Sequence, residues 1–209
     1  MHERVLFLDR DGIIVEETQV DSLEKIRYIP GVFSALARLR SSGLWYFAMV
    51  SNQDGVGTPS FPQESFDIPQ QRILETLAGE GISFDALHID FSLPSDNCPG
   101  RKPRIGMLGE YQGEKYDLEH SVVIGDRLTD VQLARNLGCK AVWFASPSRA
   151  NELSDELKET CILISDNWAR VASFLLDDSA LAPRIARIEQ KTKETEIALE
   201  LKEIGRAHV

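Results

Sequence analysis

The stretch Val5-Leu6-Phe7-Leu8-Asp9-Arg10-Asp11-Gly12 decides how this chain is read. Four apolar residues in a row, ended by acid and then glycine, describe a short strand buried on both faces that delivers its last residue to a loop. The same pattern recurs downstream. Pro30-Gly31 opens a helical pattern with Val32, Leu36 and Leu39 on one face, and Gly43 stops it. Residues 44–50 read as a second buried strand, followed by the polar turn cluster Ser51-Asn52-Gln53-Asp54-Gly55. A helix over 69–81 ends at Gly81, and residues 84–91 form a third strand. A loop containing Pro and Gly occupies 94–103. Residues 121–125 form a fourth strand leading to Asp126, then a helix over 129–137 is closed by Gly138. A fifth strand over 139–144 and a weaker unit, 162–164 with Trp168–Leu176, complete the series.

Strands alternating with helices predict an α/β fold, a Rossmann-like parallel sheet with helices on both faces. Ligands bind such sheets outside the carboxyl ends of the strands. The polar clusters fall at four such ends: Asp9, Ser51, the Arg101 loop and Asp126. The expected domain covers 1–177. Residues 178–209 form an acidic, Pro-containing join and a charge-rich tail, in which Ile197, Leu199 and Leu201 alternate as in a strand.

Composition narrows the function. The 209 residues carry a formal net charge of -10, so a long nucleic-acid surface, which needs clustered Lys and Arg, is not expected. No run approaches the roughly 20 apolar residues that span a bilayer, so no membrane association is expected. Three separated cysteines (Cys98, Cys139, Cys161) imply no disulfide framework and fit a reducing cytoplasm.

The chemistry-bearing residues are few. Asp9 and Asp11, one residue apart just past a strand, can divide a task, one attacking phosphorus and the other moving protons. They can also present oxygens to a hard cation such as magnesium. A calcium loop of EF-hand type starting at Asp9 would need a carboxylate where Val20 stands. Ser51 and Asn52 can cradle phosphate oxygens without adding charge. A nucleophilic carboxylate and a phosphate dianion repel, so a cation is needed between them. Lys102 can fill that place while Arg101 offers a planar fork to substrate. Asp126 can be a second metal carboxylate, with Asp130 holding a metal-bound water or Lys102, or simply facing a helix dipole.

Taken in order, Asp9/Asp11, Ser51, Lys102 and Asp126/Asp130 resemble the DxD, S/T, K and GDxxxD motifs of the haloacid dehalogenase-like phosphatases. That resemblance implies an aspartyl-phosphate on Asp9, Asp11 as general acid and base, and Mg2+ held by Asp9, Asp11 and Asp126 with Asp130 behind them. The run Ser51 to Thr58, Ser60-Phe61-Pro62 and Phe66-Asp67 is similar to the histidinol-phosphate phosphatases, the amino-terminal half of a bifunctional histidine-biosynthesis enzyme. The likeness covers about residues 4–177. The tail, with Lys191-Thr192-Lys193-Glu194-Thr195-Glu196-Ile197, resembles the opening strand of imidazoleglycerol-phosphate dehydratase, the partner half. The resemblance thus implies hydrolysis of L-histidinol phosphate, a small-molecule phosphate, with a dehydratase domain as partner in the full-length chain. His2, His88, His120 and His208 are scattered, so dehydration is not expected of this chain.

Relatives often carry a structural zinc, and the matching positions here are Asp90, Ser92, Cys98 and Gly100. Only Cys98 is a usual ligand of that site, so zinc is expected to be absent. Glu16 and Glu17, in the loop after Asp11, are suitably acidic to receive the substrate's amine. The competing readings are a heptose bisphosphate phosphatase of the same superfamily, a receiver-like signalling domain phosphorylated on Asp, and an inactive binding module. The Asn-Gln-Asp-Gly run and the tail weigh against the heptose reading. Asp11 beside the nucleophile favours turnover over a lasting phosphoryl mark. Every expected catalytic position is filled, which disfavours an inactive module.

Overall fold

In the computed structural model, residues 2–177 are described throughout, and the tail is described over its two strands. Six strands form one parallel sheet: β1 (Arg4–Leu8), β2 (Trp45–Asn52), β3 (Ala86–Asp90), β4 (Val122–Gly125), β5 (Lys140–Trp143) and β6 (Cys161–Ile164). Their spatial order is β3-β2-β1-β4-β5-β6, so the winding direction reverses between β1 and β4. The helices are α1 (Val32–Ser41), α2 (Gln63–Gly79), α3 (Leu128–Leu137), α4 (Asp155–Thr160) and α5 (Trp168–Leu176). The doubly wound sheet expected from the alternating pattern is what the chain forms.

The apolar runs divide by parity, as the pleat requires. Leu6 and Leu8 face one way, with Phe47, Met49, Ile124 and Leu163, against buried residues of α1 and α5 and against Ile73 and Leu77 of α2. Val5 and Phe7 face the other way, with Val50, Val123 and Trp143, against α3 and Leu157 of α4. Each buried Leu, Val or Phe contributes roughly 1.5–3 kcal/mol. Trp168 at the start of α5 donates its indole N–H to the Ile13 carbonyl at 3.0 Å, which ties the first-face layer to the loop after Gly12.

Three local differences from the sequence expectation have physical causes. The helix expected over 69–81 begins at Gln63 and carries Pro69 inside it. A mid-helix proline forfeits one backbone bond and so reads as a boundary. Here Phe66, packed edge-on against Phe61 at 6.4 Å and Phe91 at 5.3 Å, makes the earlier turn worth keeping. Strand β2 continues through Ser51 and Asn52, which pair with Ile89 and Asp90 rather than turning. Residues 106–112 form a 3-10 segment that was not expected. It buries Tyr111, which lies edge-on to Phe7 at 4.9 Å and bonds His88 Nε2 at 2.8 Å.

In the tail, β7 (Arg184–Lys191) and β8 (Glu196–Glu203) pair antiparallel from Arg184↔Glu203 to Lys191↔Glu196. The alternation of Ile197, Leu199 and Leu201 corresponds to β8. The remaining tail residues lie outside those described. Among the described residues, no helix is long and apolar enough to cross a membrane.

At the opposite end from the loops of interest, Asp85 accepts two bonds from Arg40, at 2.6 and 2.8 Å, and one from the Phe47 N–H at 2.8 Å. Burial pushes the Asp85 carboxyl up, but Arg40 and the Phe47 amide outweigh it and hold the carboxyl below its ordinary range. Its contribution is therefore present above the unfolded carboxyl pKa of about 3.9 and is lost as pH falls through the lower folded value. Asp85→Asn is expected to cost about 1–2 kcal/mol at neutral pH after allowance for solvent screening, read from urea unfolding. The gap between variant and wild type should close towards pH 3.

Candidate active site

Reversal of the strand order between β1 and β4 leaves a crevice beyond their carboxyl ends. Asp9 follows β1, with its N–H on the Ile124 carbonyl at 3.0 Å, and Asp126 follows β4. Lys102 arrives from the loop after β3, and its ammonium is almost wholly enclosed. It lies 2.7 Å from an Asp9 oxygen and 2.7 Å from Asp130 Oδ1. Burial acts against that charge, but Asp130 and Asp9 outweigh it and raise the Lys102 pKa, so the amine stays an ammonium.

Asp130 is the third residue of α3, and its other oxygen accepts the Arg127 N–H at 3.1 Å, a reach back to the helix start. Gly125 makes this possible: a Cβ there would stand 2.2 Å from the Asp130 carboxyl carbon. Gly12 plays the same part for Asp126. A Cβ on Gly12 would fall 2.4 Å from the Asp126 carboxylate, and the glycine also sits at φ +73°. Both glycines are there for close approach to carboxylates, and Gly12 also lets the chain turn.

Asp9, Asp126 and Asp130 each offer a carboxylate oxygen, and the three oxygens lie within 4.8 Å of one another. Asp126 Oδ1 is buried with no hydrogen-bond partner. A hard-oxygen set with one buried oxygen left unpaired fits a magnesium-sized cation. Burial first, then Glu17, Asp9 and Asp130, push the Asp126 carboxyl up to about 8. A cation bound there would displace the proton that those neighbours retain. Asp130 already accepts from Lys102 and Arg127 with its two oxygens, in keeping with a place behind the metal ligands.

Ser51 lies 1% exposed at the end of β2, and its Oγ accepts a bond from Gln53 Nε2 at 2.8 Å. With Gln53 donating to it, the hydroxyl's own hydrogen is free to donate towards a phosphate oxygen. Asn52 does something other than touch phosphate. Its side-chain oxygen accepts the Lys102 N–H at 3.0 Å, and its nitrogen donates to the Lys102 carbonyl at 3.2 Å. The Asn52 side chain thus grips both backbone polar groups of Lys102, which helps to place the ammonium. Arg101 is likewise held by protein groups. Its fork is taken by Asp54, at 2.5 and 3.1 Å, and by the Ser92 carbonyl at 2.7 Å, so it braces the loop instead of facing substrate freely.

Glu17 reaches the site from the loop after Asp11, where it pairs with Arg127 and hydrogen-bonds Asp126. Glu16 is exposed, with its backbone N–H bonded to the Arg27 carbonyl. Of the positions matched to the zinc loop, Asp90 accepts the Ser92 N–H at 3.0 Å and also the Ser92 hydroxyl. Gly100 lies close by, since a Cβ on it would sit 2.9 Å from Asp90 Oδ2 and 3.8 Å from Cys98 Sγ. The four positions still converge, with Asp90 and Ser92 joined by hydrogen bonds.

Sequence reading missed Arg10, Gln53 and Gln70. Arg10 is fully buried and binds both oxygens of Asp11, at 3.0 and 3.1 Å. Burial first, then the charge of Asp9, raise the Asp11 pKa, while Arg10 and Gln53 offset part of that rise. The one available signal was an arginine locked between two catalytic-type acids, a place where a charged spacer is costly unless paired.

Similarity to known proteins agrees with this geometry. Residues 100–160 match the Hydrolase_like family model, described as HAD-hydrolase-like. The solved D,D-heptose 1,7-bisphosphate phosphatase from B. bronchiseptica, complexed with magnesium and phosphate, superposes with a TM-score of 0.73 at 27% identity, over 84% of this chain and 99% of that one. The chain belongs to the haloacid dehalogenase-like hydrolases. Within that class it is 47% identical over 211 residues to the Histidine biosynthesis bifunctional protein HisB of Bacteroides fragilis, covering 96% of this chain and 54% of the relative. It is 41% identical over 216 residues to that of Spirosoma linguale, covering 98% and 56%. The chain thus spans about half the length of the curated relatives it matches.

Gly125→Ala should drive the new methyl into Asp130 and loosen its hold on Lys102. The expected loss is about 1–3 kcal/mol, read as a lower urea midpoint at constant slope.

Proposed function

We propose that this chain hydrolyses L-histidinol phosphate to L-histidinol and inorganic phosphate through an aspartyl-phosphate on Asp9, in the cytoplasm, as a step of histidine biosynthesis. The observation that carries the reading is the Lys102 ammonium 2.7 Å from both Asp9 and Asp130, beside Asp126. It pairs with Asp9, the nucleophile, and offers the positive charge that lets a carboxylate approach a phosphate dianion. The histidinol substrate is supported by the 39–47% identity to bifunctional histidine-biosynthesis proteins over nearly the whole chain.

An Asp9 oxygen attacks phosphorus in line with the departing ester oxygen, and the Asp11 carboxyl gives that oxygen its proton. In the second step Asp11, now a carboxylate, takes a proton from the water that attacks the phosphoryl group and frees Asp9. Ser51 donates to a phosphoryl oxygen, and Lys102 neutralises charge throughout. Asp9, Asp126 and the Asp11 backbone carbonyl would hold Mg2+, with Asp130 behind them; the ion supplies electrostatic stabilisation of the transferring phosphoryl group. Glu17, at the rim and partnered by Arg127, receives the substrate's cationic amine. The loop over 90–100 holds no zinc and is kept by the Arg101–Asp54 pair and the Asp90–Ser92 bonds. Residues 1–177 form the phosphatase domain, and 178–209 are a linker and the beginning of a dehydratase domain.

One observation favours a second reading, a heptose bisphosphate phosphatase, namely the structural likeness to such an enzyme. Phosphate release should be measured with magnesium from L-histidinol phosphate and from heptose bisphosphate, in wild type and in Asp9→Asn. Fast release from the first that disappears in Asp9→Asn is expected. Preference for the heptose would keep the chemistry and replace the substrate, and no release from either would remove the phosphatase reading.

Magnesium should also stabilise the fold without any turnover. At a concentration about 100 times its dissociation constant, the expected gain is about 2.7 kcal/mol. A thermal shift that survives in Asp126→Asn would exclude Asp126 as a ligand.

A further inference from the structure

The buried charge that the proposed chemistry leaves unused is Arg10. It is fully enclosed, and each of its three nitrogens donates a hydrogen bond. Nε donates to Asp11 Oδ1 at 3.0 Å and Nη2 to Asp11 Oδ2 at 3.1 Å, a bidentate grip on one carboxylate. Nη2 also donates to Gln53 Oε1 at 2.7 Å, and Nη1 donates to Gln70 Oε1 at 3.2 Å. The guanidinium lies 5.2 Å from the centroid of the Phe66 ring. Gln53 closes the circuit by donating its amide nitrogen to Asp11 Oδ2 at 2.6 Å and to Ser51 Oγ at 2.8 Å. The orientation of the Gln53 amide is dictated by its neighbours, since a guanidinium can only donate and a carboxylate can accept.

A buried arginine costs several kcal/mol unless its bonds are complete. A site that needed only a filled core would place an apolar residue beside Phe66. What the guanidinium adds is a planar reference that fixes the carboxyl plane of Asp11 in two dimensions, and Lys could not supply it. We propose that Arg10 is the positioning residue for the proton-transferring Asp11, with Gln53 linking that carboxyl to the phosphate-binding Ser51. This rests on the phosphatase reading above. As Asp9 forms its bond to phosphorus and the ester P–O bond breaks, the Asp11 proton passes to the leaving oxygen, and Arg10 sets where that proton is held.

A positioning role and a merely structural one differ in their dependence on the leaving group. An alkoxide must be protonated as it departs, whereas a dinitrophenolate leaves without help. The measurement is kcat/KM for L-histidinol phosphate and for dinitrophenyl phosphate, in wild type, Arg10→Met and Gln53→Met. In Arg10→Met the ratio of dinitrophenyl to histidinol ester is expected to rise at least about 30-fold, a part of the roughly 100- to 10,000-fold that general acid catalysis supplies. Arg10→Lys should recover only part of it. Gln53→Met, which keeps the guanidinium in place, should move the ratio in the same direction and decides the matter if Arg10→Met does not fold. Equal losses on both esters in the variants that fold would overturn the proposal, leaving Arg10 as packing. Turnover by wild type, and its disappearance in Asp9→Asn, tests the phosphatase reading separately, so failure of one can be told from failure of the other.

Discussion

The rest of the site depends on one buried ammonium. Asp9, Asp126 and Asp130 converge within 4.8 Å, an arrangement that three carboxylates would not adopt unaided. Lys102 lies between two of them at 2.7 Å each. Removing an ammonium from water is costly, and the cost is met here by two short ion pairs rather than one. The sheet converts this into geometry. Its order places the carboxyl ends of β1 and β4 side by side at the point of reversal, so residues 117 positions apart in the chain share one crevice.

The carboxylates need a close approach that side chains obstruct, and the two glycines explain why the motif residues carry the neighbours they do. At Gly12 a methyl would enter the Asp126 carboxylate, and at Gly125 a methyl would enter that of Asp130. Each acid is therefore paired with a glycine on another turn of chain. The packing behind them is less exacting. Leu6 and Leu8 meet α1 and α5 on one face while Val5 and Phe7 meet α3 on the other, and volume-conserving changes there should be absorbed.

Most of the fold was legible because short apolar runs in a parallel sheet need no partner to be recognised. Residues 5–9 and 121–125 ended at acids, and those acids became the site. What escaped reading depended on tertiary contact. The first turns of α2 carry Pro69 downstream, and only Phe66 against Phe61 and Phe91 reveals why they are helical. The 3-10 segment at 106–112 has no clean periodicity, and its burial of Tyr111 follows from His88 and Phe7 standing nearby. In the site, residue type offers Asn52 and Arg101 as substrate groups, and their bonds to Lys102, Asp54 and Ser92 emerge only in three dimensions. Arg10 stands between two acids, a place that says the guanidinium must be paired but not with what. Its use shows only when Gln53 and Gln70 arrive from 43 and 60 residues away.

The grip of Asn52 on Lys102 has a consequence for how this chain can change. The amide of Asn52 pairs with both the N–H and the carbonyl of one residue, Lys102, as a neighbouring strand residue would. Lys102 is thereby anchored to the end of β2 as well as to the loop that delivers it. The stretch between Phe91 and Arg101 is a tether braced by the Asp90–Ser92 bonds and by Arg101 on the Ser92 carbonyl, and its far end reaches Asn52. A change in the middle of that loop therefore reaches the nucleophile only through a residue already clamped to the sheet.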